Sequence, residues 1–329
     1  MFAHHTPRTG LRRRAATATA TALVGCLALT ACGADSGSDE ANGGAKAQRT
    51  VKTAMGDVRV SEAPRRVVVL DTAELDSAIT LGVKPVGATN AGTSSGFLSY
   101  LDEDEVSGVK NVGTIGSPNL EAINALKPDL ILSSKVRDEK NYKNLSQIAP
   151  TVLTETTGYP WKENFQVHAE ALGKQAEAEK VLADYEKHTR EVTEALGGAD
   201  KAGDTEVSVV RFVEGADTRL YGEKNYIGTI LEDVGLARPA ITAEAPDGFA
   251  LEVSPEQIDK GDADTVFYAT YGDPDKAKEK QITGGGLWKN MKAVRNRSAF
   301  PVDDELWIQG IGYTAADKIL DELQEKLTS

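Results

Sequence analysis

Residues 174–196 carry an unbroken helical pattern that constrains how the rest of the chain can be arranged. Apolar and small side chains recur every three or four residues on one face, and charged side chains fill the other face. Gly173 precedes the segment as a helix-ending residue, and Gly197 and Gly198 follow it. We predict one helix about 35 Å long at about 1.5 Å per residue. The buried stripe is predicted to be Ala178, Leu182, Tyr185, Thr189, Val192 and Leu196.

The segments on either side of this helix resemble each other. Glu121 and Glu256 each follow a Ser-Pro pair and precede an isoleucine, an aspartate and an apolar run at matching spacing. Helix and strand patterns alternate on both sides, which predicts α/β architecture. We expect two Rossmann-like lobes with mostly parallel sheets, at residues 50–172 and 199–329, joined by a linking helix at 173–198. Ligand pockets form preferentially between domains, so the cleft between the lobes is the expected site.

Several local patterns predict individual elements. A hairpin is expected around Gly56, because apolar and polar residues alternate on both sides of it. The apolar run 67–70 predicts a buried strand, and Asp71 or Thr72 is the expected N-cap of the helix that follows. Ser117-Pro118 is expected to open another helix.

The first 31 residues have the pattern of an export signal. A basic stretch without acids precedes an apolar run at 15–31 that is short for a membrane span. Both cysteines lie in this region, and Leu29-Thr30-Ala31-Cys32 resembles a bacterial lipobox, whereas Cys26 is still followed by apolar residues. We predict lipidation at Cys32 and a flexible tether at 32–49. The alternative is a soluble secreted protein cleaved after Ala31.

The mature chain is strongly acidic. Without the signal, 33 Lys and Arg face 50 Asp and Glu, which leaves a net charge of −17. Nucleic acid and anionic lipid headgroups are therefore disfavoured as partners. The sequence has no P-loop or H-E-x-x-H motif, which favours a binding protein. An exported α/β enzyme with a cleft active site is the alternative from another class.

Taken together, these features resemble the substrate-binding lipoproteins of ATP-binding-cassette importers for iron–siderophore complexes, heme and cobalamin. The resemblance rests on the lipobox, the single linking helix, and the segments VVVLDTAELDSAITLGVKPVG, VGTIGSPNLEAINALKPDLILSS, RLYGEKNYIGTILEDVGLARP and LEVSPEQIDKGDADTVFYA. It implies a non-enzymatic receptor, lipid-anchored at the extracytoplasmic face of the cell membrane. The Arg-containing strand VVRF is most similar to ferric-siderophore binders, and cobalamin or heme is the alternative ligand.

The resemblance also implies two docking residues for the permease dimer. By their positions in the motifs these are Glu121 and Glu256, one on each lobe. The alternative is purely structural, because an acid in the first turn of a helix interacts favourably with the helix dipole. The recurrence of the acid in both halves favours docking.

Ligand contacts are expected at strand ends and loops that face the cleft. Arg211 interrupts an apolar strand, so its guanidinium is expected to reach either a ligand oxygen or a structural carboxylate. Arginines contact siderophore oxygens in the family that the chain resembles, which favours the ligand. Aromatic side chains suit the apolar arms of a chelate, although each tryptophan fits a core position as well, and Trp288 is assigned to the core. The other predicted contacts are Arg137, Trp161, Arg219, Tyr221, Tyr271 and Trp307.

No metal or cofactor held by the protein itself is expected. His168 and His188 lie on predicted helices away from the cleft loops, so they do not form a histidine-rich metal site. Iron should arrive already coordinated by its siderophore, and the acidic chain favours a neutral or cationic hydroxamate chelate over an anionic one. The apolar stripe of the long helix also suits a dimer seam. The duplicated halves favour packing against the lobes, so we expect a monomer.

Overall fold

The computed structural model describes residues 47–91 and 96–328, which belong to one compact unit. The signal segment, Cys26, Cys32 and all of the tether before Ala47 lie outside the described residues. Within the described ranges, no helix combines the length and the apolar character needed to cross a bilayer.

The elements alternate along the chain as the sequence predicts. The strands are β1 (Gln48–Thr53), β2 (Gly56–Ser61), β3 (Val67–Val69), β4 (Gly87–Asn90), β5 (Lys110–Thr114), β6 (Ser117–Pro118), β7 (Leu130–Ser134), β8 (Thr151–Thr154), β9 (Val207–Val213), β10 (Thr218–Tyr221), β11 (Ala250–Val253), β12 (Thr265–Tyr271) and β13 (Ala299–Pro301). The α-helices are α1 (Thr72–Thr80), α2 (Glu103–Val106), α3 (Leu120–Ala125), α4 (Lys135–Asp138), α5 (Tyr142–Ile148), α6 (Trp161–Leu172), α7 (Gln175–Ala195), α8 (Ala199–Gly203), α9 (Tyr226–Val234), α10 (Glu279–Thr283), α11 (Gly286–Asn290), α12 (Lys292–Arg295) and α13 (Tyr313–Thr328). Short 3₁₀ turns lie at Glu139–Asn141, Ala240–Glu244, Pro246–Gly248 and Pro255–Gly261, and a π-helical turn at Glu305–Gln309.

The sheet of the first lobe has six strands in the order β6-β5-β4-β3-β7-β8. Its strand pairs are parallel except for β5 and β6, which form an antiparallel edge. The central β3 is completely buried, as expected for a strand covered on both faces. Asp71 caps the following helix α1 by accepting a hydrogen bond from the Thr72 amide, which confirms the predicted start of that helix.

The sheet of the second lobe has five strands in the order β11-β10-β9-β12-β13, and it is more mixed than the sequence predicts. Strand β12 runs parallel to β9 and β13, whereas β10 is antiparallel to both β9 and β11. The connection from β9 to β10 contains only residues 214–217, which is too short for a crossover. Two strands joined so closely must therefore pair as a hairpin.

The internal repeat corresponds to equivalent structure in the two sheets. Asp129 precedes β7 and accepts hydrogen bonds at 2.8–3.1 Å from the backbone amides of Arg65 and Arg66, just before β3. Asp264 precedes β12 and accepts a 3.0 Å bond from the amide of Glu206, just before β9. In both sheets, the repeated aspartate therefore holds the start of the neighbouring central strand in place by hydrogen bonds to its backbone.

One predicted element in the first copy of the repeat is wrong. Ser117-Pro118 does not open a helix, because these two residues form the edge strand β6. The helix α3 begins at Leu120, where the side chain of Asn119 accepts a 3.0 Å hydrogen bond from the Ala122 amide. Asn119 is the better cap because its side chain reaches a free amide of the first turn. In the second copy, Pro255 does begin a helical turn.

The long helix α7 has 21 residues and ends close to its predicted limits. Gly173 precedes it with a left-handed backbone at φ 72°, a conformation that glycine adopts without strain. Four residues of the predicted stripe are buried, and α7 packs against α6, α9 and α13. Its apolar face is therefore covered within this chain.

The last helix, α13, packs against α7 and also against α1 of the first lobe. Its N-terminus lies on the buried carboxylate of Asp76, which accepts hydrogen bonds of 3.1 Å from the amides of Thr314 and Ala315. The Tyr100 hydroxyl donates to the same carboxylate at 2.8 Å, and the Thr80 hydroxyl at 3.1 Å. The sequence assigns residues 199–329 to the second lobe. That boundary stays a prediction, and its final helix lies on the first lobe.

Replacing Asp76 with alanine should lower the free energy of unfolding by about 3 kcal/mol, because the change leaves two helix amides without their buried acceptor. Urea denaturation followed by circular dichroism measures this loss. Asp57→Ala, at an exposed hairpin position, is the control and should change stability by less than about 0.5 kcal/mol. Equal effects of the two substitutions would contradict the assigned role of Asp76.

Candidate functional site

A cleft of about 950 Å³ is lined by residues of both lobes. The first lobe contributes residues that follow β3, β4, β5, β7 and β8. The second lobe contributes β9, β10, the end of β12, and the segment around Trp307. Six of the seven predicted contacts line this cleft: Arg137, Arg211, Arg219, Tyr221, Tyr271 and Trp307.

On the first-lobe side, Arg137 is held by a buried aspartate. The sequence places Arg137 in a loop after β7, whereas it lies in the one-turn helix α4. Its Nε donates to the Asp71 carboxylate at 2.8 Å, and Asp71 also caps α1. Burial acts to lower the pKa of Arg137, but the charge and hydrogen bond of Asp71, together with the charges of Glu74 and Asp138, raise this pKa above its usual value. Arg137 is therefore a charged group whose charge is already matched.

On the second-lobe side, Arg211 forms a bidentate ion pair. Its Nε and Nη2 each lie 2.6 Å from an oxygen of Asp304. Its Nη1 is 3.4 Å from the Tyr221 hydroxyl, and its guanidinium lies 4.6 Å from the centroid of the Tyr271 ring. Burial acts to lower the pKa of Arg211, but the hydrogen bonds and charge of Asp304, together with Tyr221, raise this pKa above its usual value. Of the two alternatives for Arg211, the structural carboxylate is the one present in this structure.

Two further cations lie at the edge of the cleft. Arg219 on β10 is 3.4 Å from the exposed carboxylate of Glu252 on β11, a long contact between side chains that face water. Surface pairs of this kind contribute little energy, so Arg219 is the arginine most free to turn toward a ligand. Lys224 lines the cleft close by.

Two exposed aromatic side chains, Tyr159 and Phe249, line the cleft and form what we call the aromatic rim. Half of the Tyr159 surface and 47% of the Phe249 surface are exposed, although large apolar side chains are usually covered. The Phe249 ring lies edge-on to Tyr221 at 5.6 Å between centroids. Sequence reasoning missed both residues. The available signal was an aromatic residue beside Gly or Pro in a loop.

The tryptophans occupy different environments. Trp161 is not among the cleft-lining residues, because its indole N–H donates to Thr229 at 2.8 Å and its ring packs among tyrosines of α7, α9 and α13. Trp307 lines the cleft, but its ring packs at a tilt against Phe267 with 4.6 Å between centroids, and its N–H donates to Glu322 at 2.7 Å. Trp288 is buried in the second-lobe core, as the sequence predicts.

A second cavity of about 680 Å³ adjoins the cleft at Tyr271 and Gln309 and is lined by several carboxylates. Within the described ranges, no group of acidic, histidine or cysteine side chains is arranged to hold a metal ion. His168 is buried against Ser77, with Nδ1 2.9 Å from the hydroxyl oxygen, and His188 contacts Asp317 at 2.5 Å. Both histidines lie on helices away from the cleft lining.

The proposed docking residues lie at equivalent places in the two copies of the repeat. Glu121 is exposed in the first turn of α3, and Glu256 is exposed in the first turn of the 3₁₀ segment Pro255–Gly261. Hydrogen bonds from its own backbone amide and from the Ser254 hydroxyl lower the pKa of Glu256, so it is ionised at neutral pH.

Comparison with known proteins places the chain among binding proteins. The sequence model of the periplasmic binding protein family matches residues 67–306. The probable siderophore-binding lipoprotein YfiY of Bacillus subtilis is 39% identical over 312 residues, which cover 92% of this chain and 94% of YfiY. The Fe(3+)-citrate-binding protein YfmC of the same organism is 30% identical over 313 residues, covering 93% and 94%.

Solved structures match over most of their length. The Staphylococcus aureus protein SirA complexed with staphyloferrin B superposes with a TM-score of 0.76 at 36% identity, covering 85% of this chain and 98% of SirA. The triscatecholate siderophore binding protein FeuA from Bacillus subtilis, complexed with ferri-bacillibactin, gives a TM-score of 0.72 at 26% identity, with 85% and 98% coverage.

The different burial of the aromatic side chains can be tested through stability. Trp161→Phe should lower the free energy of unfolding by about 2 kcal/mol, because the buried Thr229 hydroxyl loses its donor and a cavity opens. Phe249→Ala should cost less than about 1 kcal/mol, because half of this ring already contacts water. Thermal denaturation of both variants measures the difference, and a reversed order would show that the two environments are misassigned.

Proposed function

Because the chain belongs to the periplasmic binding protein family, we propose that it is a receptor that captures a ferric siderophore and delivers it to an ABC-transporter permease. The observation that carries this proposal is the cleft of about 950 Å³, a size suited to a bulky chelate. Its walls combine arginines and tyrosines, which reach ligand oxygens, with the aromatic rim, which suits apolar arms. The name of YfiY as a probable siderophore-binding lipoprotein, and the structures of SirA with staphyloferrin B and of FeuA with ferri-bacillibactin, support this ligand class.

Within this class we favour a neutral or cationic hydroxamate chelate. The relatives do not agree on one chemistry, since one is named for citrate and another for a triscatecholate. The charges of this cleft are therefore the better guide. Arg137 and Arg211 are each held by a buried carboxylate, and Arg219 by an exposed one. A highly anionic chelate would have to compete with these carboxylates for the same donors.

Titration of the purified protein comprising residues 33–329 with ferrioxamine, ferrichrome and ferric enterobactin tests the ligand class. Saturable quenching of tryptophan fluorescence is expected with the two hydroxamates at micromolar or lower concentrations. Phe249→Ala should weaken hydroxamate binding about tenfold, because the ring supplies apolar contact at the rim. The matched control is Leu287→Ala, which removes another exposed apolar side chain that lies outside the cleft lining.

Absence of saturable quenching with all three chelates would overturn the siderophore proposal. Protein purified from medium spiked with heme or cobalamin would then be examined by absorption spectroscopy. A bound heme or corrinoid spectrum would identify the alternative ligand.

We also propose that Glu121 and Glu256 dock on the permease. The double substitution Glu121→Ala with Glu256→Ala should abolish uptake of radiolabelled iron–siderophore by cells while the purified receptor keeps its ligand affinity. This separation is expected because both residues are exposed and neither lines the cleft. Glu103→Ala with Glu179→Ala removes two exposed acids elsewhere and should leave uptake unchanged. Normal uptake by the first double variant would refute the docking assignment.

Attachment to the extracytoplasmic face of the cell membrane through lipidated Cys32 completes the proposal. The lipobox ending at Cys32 and the names of the lipoprotein relatives support it. Cys32→Ser should move the protein from the membrane fraction to the culture medium, because a lipid-free chain has no anchor. Immunoblots of the two fractions measure this change, and retention in the membrane fraction would contradict the assignment.

A further inference from the structure

The two lobes present the same arrangement to the cleft: an arginine held by a buried aspartate. In the first lobe Arg137 Nε lies 2.8 Å from Asp71, and in the second lobe Arg211 makes two 2.6 Å bonds to Asp304. The aspartates are 1% and 8% exposed, so water screens them poorly. Arg137 and Arg211 therefore each have a buried carboxylate behind them.

The donors of Arg211 are largely occupied by protein groups. Asp304 takes the Nε and Nη2 donors, the Tyr221 hydroxyl lies next to Nη1, and Tyr271 covers one face of the guanidinium. The Gln309 side-chain amide donates at 2.8 Å to Oδ2 of Asp304, the oxygen that also accepts from Arg211 Nη2, and holds that carboxylate in place. Asp304 occupies one two-donor edge of the guanidinium, so an anionic ligand must bind Arg211 through the remaining Nη1 and Nη2 hydrogens, beside a carboxylate that already neutralises the charge.

We propose that Asp71 and Asp304 are specificity-determining residues that set the charge of the chelate the cleft accepts. By neutralising one arginine in each lobe, they select neutral or cationic ferric chelates against anionic ones. This inference rests on the proposed siderophore-binding function and assigns its charge selectivity to two residues that do not have to contact the ligand.

The charge balance of the whole cleft agrees with this assignment. Its cations are Arg137, Arg211, Arg219 and Lys224. The carboxylates that line it or bind these arginines are Asp71, Asp247, Asp304 and Glu252, which match the cations in number. Loss of either buried aspartate converts this balance into a net positive site. A positive site of low dielectric strongly attracts an anion.

Asp304→Asn and Asp71→Asn test the proposal without a large change of shape. Asparagine still accepts a hydrogen bond from the arginine, and at position 71 it is also a good helix cap. The matched control is Asp303→Asn, which removes the same charge one residue away at an exposed position that accepts a hydrogen bond from the Leu306 amide. If Asp304→Asn does not fold, Asp71→Asn carries the test, because the Arg137 side chain is 39% exposed and reaches water.

Affinities for ferrichrome, which is neutral, and ferric enterobactin, which is trianionic, are compared by fluorescence titration. Each aspartate variant should bind the trianionic chelate about tenfold more tightly than the original protein, a gain larger than any change in its affinity for ferrichrome. Asp303→Asn should resemble the original protein. Unchanged affinity for the anion, or an equal gain in Asp303→Asn, would overturn the proposal.

A second measurement separates failure of this inference from failure of the proposed function. Inorganic phosphate should raise the Tm of the two aspartate variants more than that of Asp303→Asn. The reason is that an arginine without its aspartate partner is free to bind a small oxyanion. If the original protein binds no ferric chelate, the siderophore proposal fails, and the phosphate result alone decides whether the aspartates neutralise the arginines. Equal phosphate effects on all variants would overturn the inference.

Discussion

The arrangement of the lobes depends on the hydrogen bonds that the buried carboxylate of Asp76 accepts. It belongs to α1 in the first lobe, and it accepts hydrogen bonds from the first turn of α13, the last helix of the chain. Around it, the Tyr226 hydroxyl of the second lobe donates to the Gly312 carbonyl at 2.7 Å, and Lys318 donates to the Tyr100 carbonyl at 2.6 Å. Any closure of the cleft must therefore take place beside a fixed junction, which favours a small movement of the lobes over a wide one.

The sequence allowed the long helix, the α/β class and the repeat to be predicted, because each depends on periodic or repeated local patterns. The antiparallel half of the second sheet was missed, since strand direction follows from a short connection and tertiary pairing. Most of the predicted residues do line the cleft, because Arg211, Arg219 and Tyr271 lie on neighbouring strands of one sheet. The carboxylate partners could not be predicted, because Asp304 is 93 residues from Arg211 and many acids were available. Trp161 was predicted to contact the ligand but is buried outside the cleft lining. The sequence does not separate these two roles, because a tryptophan suits both a protein core and a ligand site.

Relatives named for different ligands share this fold, so the choice of ligand depends on particular side chains and their partners. In this chain the arginines alone suggest an anionic ligand, and the arginines together with their buried aspartates suggest the opposite. The charge of a binding site therefore depends on each lining side chain together with its ion-pair partner. The residues that line a cavity are an incomplete guide to its charge when a buried counter-charge lies behind them.

The position of α13 also bears on how the protein reaches its folded state. Asp76 and Ala315 are 239 residues apart in sequence, so this contact closes almost the whole described chain into one loop. Contacts of such separation form late and slow folding, because chain entropy is lost before they contribute. The first lobe is made first during synthesis, yet its helix α1 lacks its cover until the final residues emerge. The unfinished chain therefore cannot complete the packing of its first lobe until α13 is present, and a truncation that removes this last helix would leave both lobes without their shared cover.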